Sequence, residues 1–133
     1  MIPEHRPRIL VVDDQSNWQR VLEDTLQHEG YEVKTASSRD EALGYLDSFS
    51  FQLAVIDVRL VDRYSFGVQG LKILEAAKRK GCRAIVLTGF AAVPGLRDSA
   101  TKMGADCFLE KESDFNVDSF REIVASLIAR QGS

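Results

Sequence analysis

The chain has little that would staple it covalently, anchor it in a bilayer or draw it to a polyanion. Its two cysteines, Cys82 and Cys107, stand far apart and match no zinc or redox spacing, which leaves them as core thiols of a reducing compartment. The longest uncharged run is the 13 residues from Ala84 to Leu96, and it contains Gly89, Pro94 and Gly95. A membrane span needs about 20 apolar residues, so none is expected. The opening MIPEHRPR leads into only a short apolar run before aspartates intervene, unlike a signal peptide. Neither charge dominates: 17 basic residues face 20 acidic ones, for a net charge of −3. The clustered Lys and Arg of a nucleic-acid footprint are missing. There is no repeat, low-complexity tract or linker, and neither GxGxxG nor a P-loop. What is present is 133 residues, 44% hydrophobic and 28% charged. That is one domain's worth of chain, able to bury roughly two-thirds of its unfolded surface without disulfide or metal. The expectation is a soluble, cytoplasmic domain over residues 8–130, with short tails at 1–7 and 131–133.

Apolar β-branched runs alternate with helical periodicity along the whole chain. Ile9-Leu10-Val11-Val12 is apolar on both faces, as suits a buried parallel strand, and it stops at Asp13-Asp14. Ser16 and Gln19 form a capping-box pattern ahead of Trp18, Val21, Leu22, Thr25 and Leu26, and Gly30 ends that helix. Tyr31–Ala36 alternates as a strand. Ser38 and Glu41 repeat the capping pattern before Ala42, Leu43, Tyr45 and Leu46. Leu53-Ala54-Val55-Ile56 is a third strand and ends on Asp57. A longer connection, Val58 to Gln69, precedes a helix carrying Leu71, Ile73, Leu74 and Ala77, closed by Gly81. Ala84-Ile85-Val86-Leu87 stops at Thr88. A helix from about Pro94 to Met103 follows, with Pro94 near its first turn, and then a strand from Ala105 to Leu109 ending at Glu110-Lys111. The last helix, about Val117 to Ala129, sets Phe120, Ile123, Val124, Leu127 and Ile128 on one face. Strict strand–helix alternation specifies an α/β fold with a five-stranded parallel sheet. Right-handed crossovers put helices on both faces, giving a flavodoxin-like doubly wound (βα)5 arrangement with strand order 2-1-3-4-5.

In such a sheet, function gathers at the carboxyl ends of the strands near the reversal of strand order. Those ends carry Asp13 and Asp14, Asp57, Thr88 and Lys111, nearly a hundred residues apart in sequence but neighbours in the expected sheet. Any one of them alone reads as a cap, a turn residue or a solvated charge. Together they are complementary. Three crowded carboxylates repel unless a cation joins them. Oxygen ligands without His or Cys suit a hard ion, Mg2+ or Mn2+. A carboxylate beside such an ion can attack phosphorus to form an aspartyl phosphate, while a Lys and a Thr hydroxyl stabilise the other phosphoryl oxygens. Asp57, alone at the end of a central strand, is the expected nucleophile, and Asp13 and Asp14 the metal holders.

The segments ILVVDDQ (9–15), LAVIDVRL (53–60), AIVLTG (84–89) and GADCFLEK (104–111) resemble the receiver domain of bacterial two-component response regulators, and the likeness runs from about Arg8 to Ala129. The resemblance implies that Asp57 accepts a phosphoryl group from a sensor histidine kinase or phosphotransfer protein. It implies that Asp14 and Asp57 ligate Mg2+ with the backbone carbonyl of Arg59, Asp13 helping through the ion's waters. Lys111 would pair with the phosphoryl group and Thr88 would move to hydrogen-bond it. Phe108 stands where the family places an aromatic switch, although a plain core phenylalanine fits the position too. The signalling surface would lie in roughly residues 93–130, addressed to a downstream protein target or a fused output domain. Arg59 and Phe90 fall near the path of an attacking water and are expected to slow hydrolysis.

The chain departs from the family pattern at three places. Glu112 follows Lys111 where a proline with a cis bond is usual. A non-proline cis bond costs about 2.5–4 kcal/mol, so a trans bond or a remodelled loop is expected. Val61 replaces another common proline. The loop after the third strand is long, and Tyr64 and Phe66 make it either a surface insertion or a flap beside the pocket. A phosphorylation switch with slow self-dephosphorylation, not a turnover enzyme, is the leading expectation. An unphosphorylated receiver acting as a constitutive interaction module is the alternative. An aspartyl-phosphate hydrolase fits less well, since adjacent Asp13-Asp14 is not Asp-x-Asp and no cap domain has room. A homodimer is compatible with Arg97, Asp98, Lys102 and Arg121, which serve equally as solvated surface. His28 favours the helix dipole at its end of the first helix, and His5 has no assigned role. A stand-alone receiver and a piece of a larger protein read alike here.

Overall fold

The computed structural model describes residues 6–58, 69–89 and 94–131. In chain order the elements are β1 (Arg8–Val12), α1 (Ser16–His28), β2 (Glu32–Ala36), α2 (Arg39–Ser48), β3 (Leu53–Ile56), α3 (Gln69–Arg79), β4 (Arg83–Thr88), α4 (Leu96–Lys102), β5 (Cys107–Glu110) and α5 (Val117–Gln131). The five strands pair in parallel in the order β2-β1-β3-β4-β5. That is the expected doubly wound sheet.

The period-2 alternation of the strands divides the core between two faces. Leu10, Val12, Ala54, Ile56, Ala84 and Val86 pack with α2 and α3 through Ala42, Leu46, Ile73 and Leu74, with Ala100 of α4 beside them. Ile9, Val11, Leu53, Val55, Ile85 and Leu87 pack with α1 and α5 through Leu22, Leu26, Phe120, Val124 and Leu127. Each large side chain taken fully out of water contributes roughly 1.5–3 kcal/mol, so the central strands, apolar on both faces, anchor the fold.

Element boundaries moved by one or two residues. The first capping box does not form: Gln15, not Ser16, is the N-cap of α1, and its side chain makes no cap bond. The second forms in its N-cap half, with Ser38 Oγ accepting from the Glu41 amide at 3.2 Å, while Glu41 Oε1 reaches one residue further back and accepts from the Ser37 amide at 2.7 Å. Val21, expected on the buried stripe of α1, is 43% exposed, and Leu22 and Leu26 carry that stripe instead. α4 is shorter than expected because Pro94 lies in the turn before it and Gly95, at φ +78°, is its N-cap. Gly70 has a different constraint. Its amide donates to the Val58 carbonyl at 3.1 Å, and a Cβ there would meet Val58 Cα at 2.1 Å. Only glycine lets α3 start so close to the end of β3. The expectations for Arg59, Val61, Tyr64, Phe66, Phe90 and His5 lie outside the described residues.

Candidate functional site at the strand ends

The backbone ladder continues past the strands and brings the polar residues to one rim. The Asp13 amide donates to the Ala36 carbonyl at 3.0 Å, the Asp57 amide to the Val12 carbonyl at 2.8 Å, and the Lys111 amide to the Thr88 carbonyl at 2.9 Å. Asp13, Asp57 and Lys111 carry on the alternation of Val11, Val55 and Leu109, all of the α1/α5 face. Thr88 follows Ala84 and Val86 and so belongs to the other face, which it shares with Phe108.

Lys111 closes the pocket. Its Nζ lies 2.8 Å from Asp13 Oδ2 and 3.0 Å from Asp57 Oδ2. These side chains are almost wholly buried, at 5% exposure for Lys111, 2% for Asp13 and 6% for Asp57. The missing proline does not displace the lysine. No peptide bond among the described residues is cis, and the chain leaves β5 through a tight turn. There the Asp114 amide donates to the Glu110 carbonyl and the Glu110 amide donates to Asp114 Oδ2, both at 2.9 Å.

Asp13, Asp14 and Asp57 each offer one carboxylate oxygen, all within 4.8 Å of one another. Burial pushes the Asp13 carboxyl above the ordinary aspartate value. Hydrogen bonds from Lys111 and from the Gln15 amide and the lysine's charge oppose that push, while the Asp57 charge adds to it. Among the described residues, three carboxylates against one ammonium leave two negative charges, which one divalent ion would cancel. An all-oxygen donor set of this size fits a hard cation that keeps several waters.

Thr88 is fully buried at the end of β4, and Phe108 is 8% exposed within the core cluster. The Arg97 guanidinium lies over the Phe108 ring, 4.5 Å from its centroid. Three residues of α1 and its cap were not singled out as functional from sequence. Gln15 Oε1 accepts from Lys111 Nζ at 2.9 Å, and the Trp18 ring centroid is 5.0 Å from the same nitrogen. The Gln19 side-chain Nε2 donates to the Asp13 carbonyl and, at 2.8 Å, to Ser37 Oγ. The available signal was position: Gln15 directly follows the aspartate pair, and Trp18 and Gln19 come one helical turn later. The cysteines are free, and burial pushes the Cys82 thiol up to about 12. No helix among the described residues is long and apolar enough to cross a membrane.

The chain is thus an α/β domain whose acidic pocket lies at the switch point of a 2-1-3-4-5 parallel sheet, closed by the lysine just past β5. Residues 9–124 match the family model for the response regulator receiver domain, and the chain belongs to that family. It is 31% identical over 124 residues to the photosynthetic apparatus regulatory protein RegA of Cereibacter sphaeroides, covering 92% of this chain and 61% of that protein. It is 33% identical over 126 residues to the acid tolerance regulatory protein ActR of Rhizobium meliloti, covering 93% and 59%. The chain thus spans about 60% of the length of these relatives. Among solved structures it superposes on a CheY-like receiver domain protein from Methanospirillum hungatei with a TM-score of 0.83, at 30% identity over 96% of this chain and 97% of that one. It is also similar to the response regulator TrrA of Thermotoga maritima in complex with Mg2+–BeF, with a TM-score of 0.74, 33% identity and coverage of 91% and 98%. It is a receiver domain of a two-component response regulator, a signalling switch by class.

Proposed function

We propose that the chain is switched by Mg2+-dependent transfer of a phosphoryl group to Asp57 from a phosphohistidine on a sensor kinase or phosphotransfer protein. The observation that carries this is the cluster of Asp13, Asp14 and Asp57 oxygens with the Lys111 ammonium bridging two of the three. That the TrrA structure holds Mg2+–BeF supports the same reading for this pocket.

In the reaction an Asp57 carboxylate oxygen forms the new O–P bond while the P–N bond to the donor imidazole breaks, its electron pair returning to the ring. Asp13 and Asp14, with Asp57, would hold the divalent ion. Bound there, the ion supplies positive charge against the phosphoryl oxygens. Lys111 keeps one positive charge beside Asp57 before transfer and pairs with a phosphoryl oxygen afterwards. Thr88 turns its hydroxyl to the phosphoryl group, and Phe108, on the same face of the sheet, repacks toward α4. That repacking biases two nearby conformations of a protein-binding surface over about residues 93–130. A downstream protein, an output segment of a longer chain or a second copy would read that surface.

Incubation with acetyl phosphate and Mg2+ followed by intact mass tests the proposal. One added phosphoryl group, lost in Asp57→Asn and on chelation of the metal, is the expected result. An unmodified wild-type chain would favour the constitutive interaction module. Phosphate release over many turnovers would favour the hydrolase.

A further inference from the structure

An ammonium has three N–H donors and no acceptor. At Lys111 three acceptors take them: Asp13 Oδ2 at 2.8 Å, Asp57 Oδ2 at 3.0 Å and Gln15 Oε1 at 2.9 Å. The Trp18 ring lies against the same nitrogen, 5.0 Å from centroid to Nζ, within the range of a cation–π contact. Both residues belong to the start of α1, which is itself fastened to the pocket. The Gln15 amide donates to Asp13 Oδ1 at 2.9 Å, so one residue grips both members of the Asp13–Lys111 pair. Trp18 meets Phe115 edge to face at 5.1 Å, and Phe115 rests on the fully buried Phe120 at 5.4 Å. The ring therefore has a rigid backing from α5.

From this geometry we infer that Gln15 and Trp18 are positioning residues for phosphoryl transfer, holding the Lys111 ammonium between Asp13 and Asp57 from the opposite wall of the pocket. A long, flexible side chain at a turn gains a fixed place for its charge. When the Asp57 oxygen becomes part of an acyl phosphate, the ammonium already faces the new phosphoryl oxygens and need not be ordered in the transition state. The chemistry of the two holders suits that task. An amide oxygen and an indole face are neutral, so they aim the ammonium without neutralising it. A carboxylate at position 15 would also hold the lysine, but it would compete with the phosphoryl group for its charge.

The assignment rests on Asp57 being the phosphoacceptor, and the test keeps the two apart. Rates of phosphorylation by acetyl phosphate at saturating Mg2+ are measured by intact mass, alongside the thermal midpoint. The proteins are wild type, Gln15→Met, Gln15→Glu, Trp18→Leu, Trp18→Phe and Lys111→Met, with Gln15→Met also made in the Lys111→Met background. Gln15→Met, which keeps the length but not the acceptor, is expected to slow phosphorylation about tenfold at an unchanged thermal midpoint, the loss of one charge-assisted hydrogen bond. Gln15→Glu restores part of that rate, and Trp18→Phe keeps more of it than Trp18→Leu. In the Lys111→Met background Gln15→Met has no further effect, a non-additivity that a merely structural role would not produce. A Gln15→Met protein as fast as wild type, or one slowed equally with and without Lys111, overturns the assignment alone. A wild-type chain that gains no phosphoryl group overturns the phosphoacceptor reading and this assignment with it.

Discussion

Two clusters of buried charge bracket β5, and they are built to opposite ends. Near its start, Asp106 is the one carboxylate of its cluster among the described residues and has several partners. Lys78 Nζ is 2.8 Å from Oδ2, the Ala84 amide donates to the same oxygen at 2.9 Å, and Arg83 lies 3.3 Å from Oδ1. Burial pushes this carboxyl up, but the Lys78, Ala84 and Arg83 hydrogen bonds and the lysine's charge together outweigh it and hold Asp106 below its ordinary value. Just past its other end, Lys111 pairs with both Asp13 and Asp57, with Asp14 close by, and burial holds Asp13 above its ordinary value. The first cluster sets two cations on one carboxylate, leaves only Arg83 Nε without a hydrogen-bond partner among the buried side-chain atoms of the described residues, and ties α3 to the β4–β5 edge. Among the described residues the second sets three carboxylates against one ammonium, a deficit of positive charge that a divalent cation would balance. Charge balance thus separates a structural ion cluster from a functional one where residue types alone do not.

The largest expected effect comes from deepening the deficit. Lys111→Met should slow phosphorylation by acetyl phosphate on the order of 100-fold, as for removal of one preorganised charge donor, whereas Lys78→Met should leave the rate within a small factor of wild type. Filling the deficit is next. Mg2+ at about 100 times its dissociation constant should add about 2.7 kcal/mol of stability. Thermal unfolding should show that shift retained in Asp106→Asn and abolished in Asp14→Ala. Emptying the complete cluster comes third: Asp106→Asn should cost about 2 kcal/mol in urea denaturation by leaving two partly buried cations without their partner.

The smallest effects concern pH and carry opposite signs. The folded Asp106 carboxyl lies below its unfolded value, so its contribution is present above the unfolded value and is lost as pH falls through the folded one. The stability gap between wild type and Asp106→Asn should therefore close on acidification. Asp13 is raised in the metal-free protein, so its charge opposes folding once pH rises through the folded value. Metal-free Asp13→Asn should then unfold later than wild type near neutral pH, by about 1 kcal/mol. That advantage should fade in acid, and a wild type more stable than Asp13→Asn at every pH would count against the deficit.

Much of this molecule was legible in its residues. Runs apolar on both faces, such as Leu53–Ile56, suit buried central strands, and their alternation with helical stripes specifies a parallel sheet with right-handed crossovers, for which 2-1-3-4-5 is one of the common doubly wound orders and the one observed. The aspartates, Thr88 and Lys111 followed, because a strand ending on a polar residue names its own rim position. Local capping was less legible. Ser16-x-x-Gln19 has the pattern of a capping box, yet Gln19 spends its amide on the Asp13 carbonyl and Ser37, partners from two other segments. Val21 looked like part of a stripe but faces outward, since a helical period locates a face only to within about one residue.

The sequence by itself determined the strands, the helices and the polar residue at each strand end, because periodicity and chain termination are properties of neighbours. Only the tertiary structure decided that Lys111 keeps its place without a following proline and that Gln15 and Trp18 surround its charge. It alone showed that the Lys78, Ala84 and Arg83 bonds hold the Asp106 carboxyl low while burial pushes that of Asp13 up. Those outcomes depend on distance and burial between groups as many as 96 positions apart, and electrostatic energy follows separation in space, which local pattern does not record.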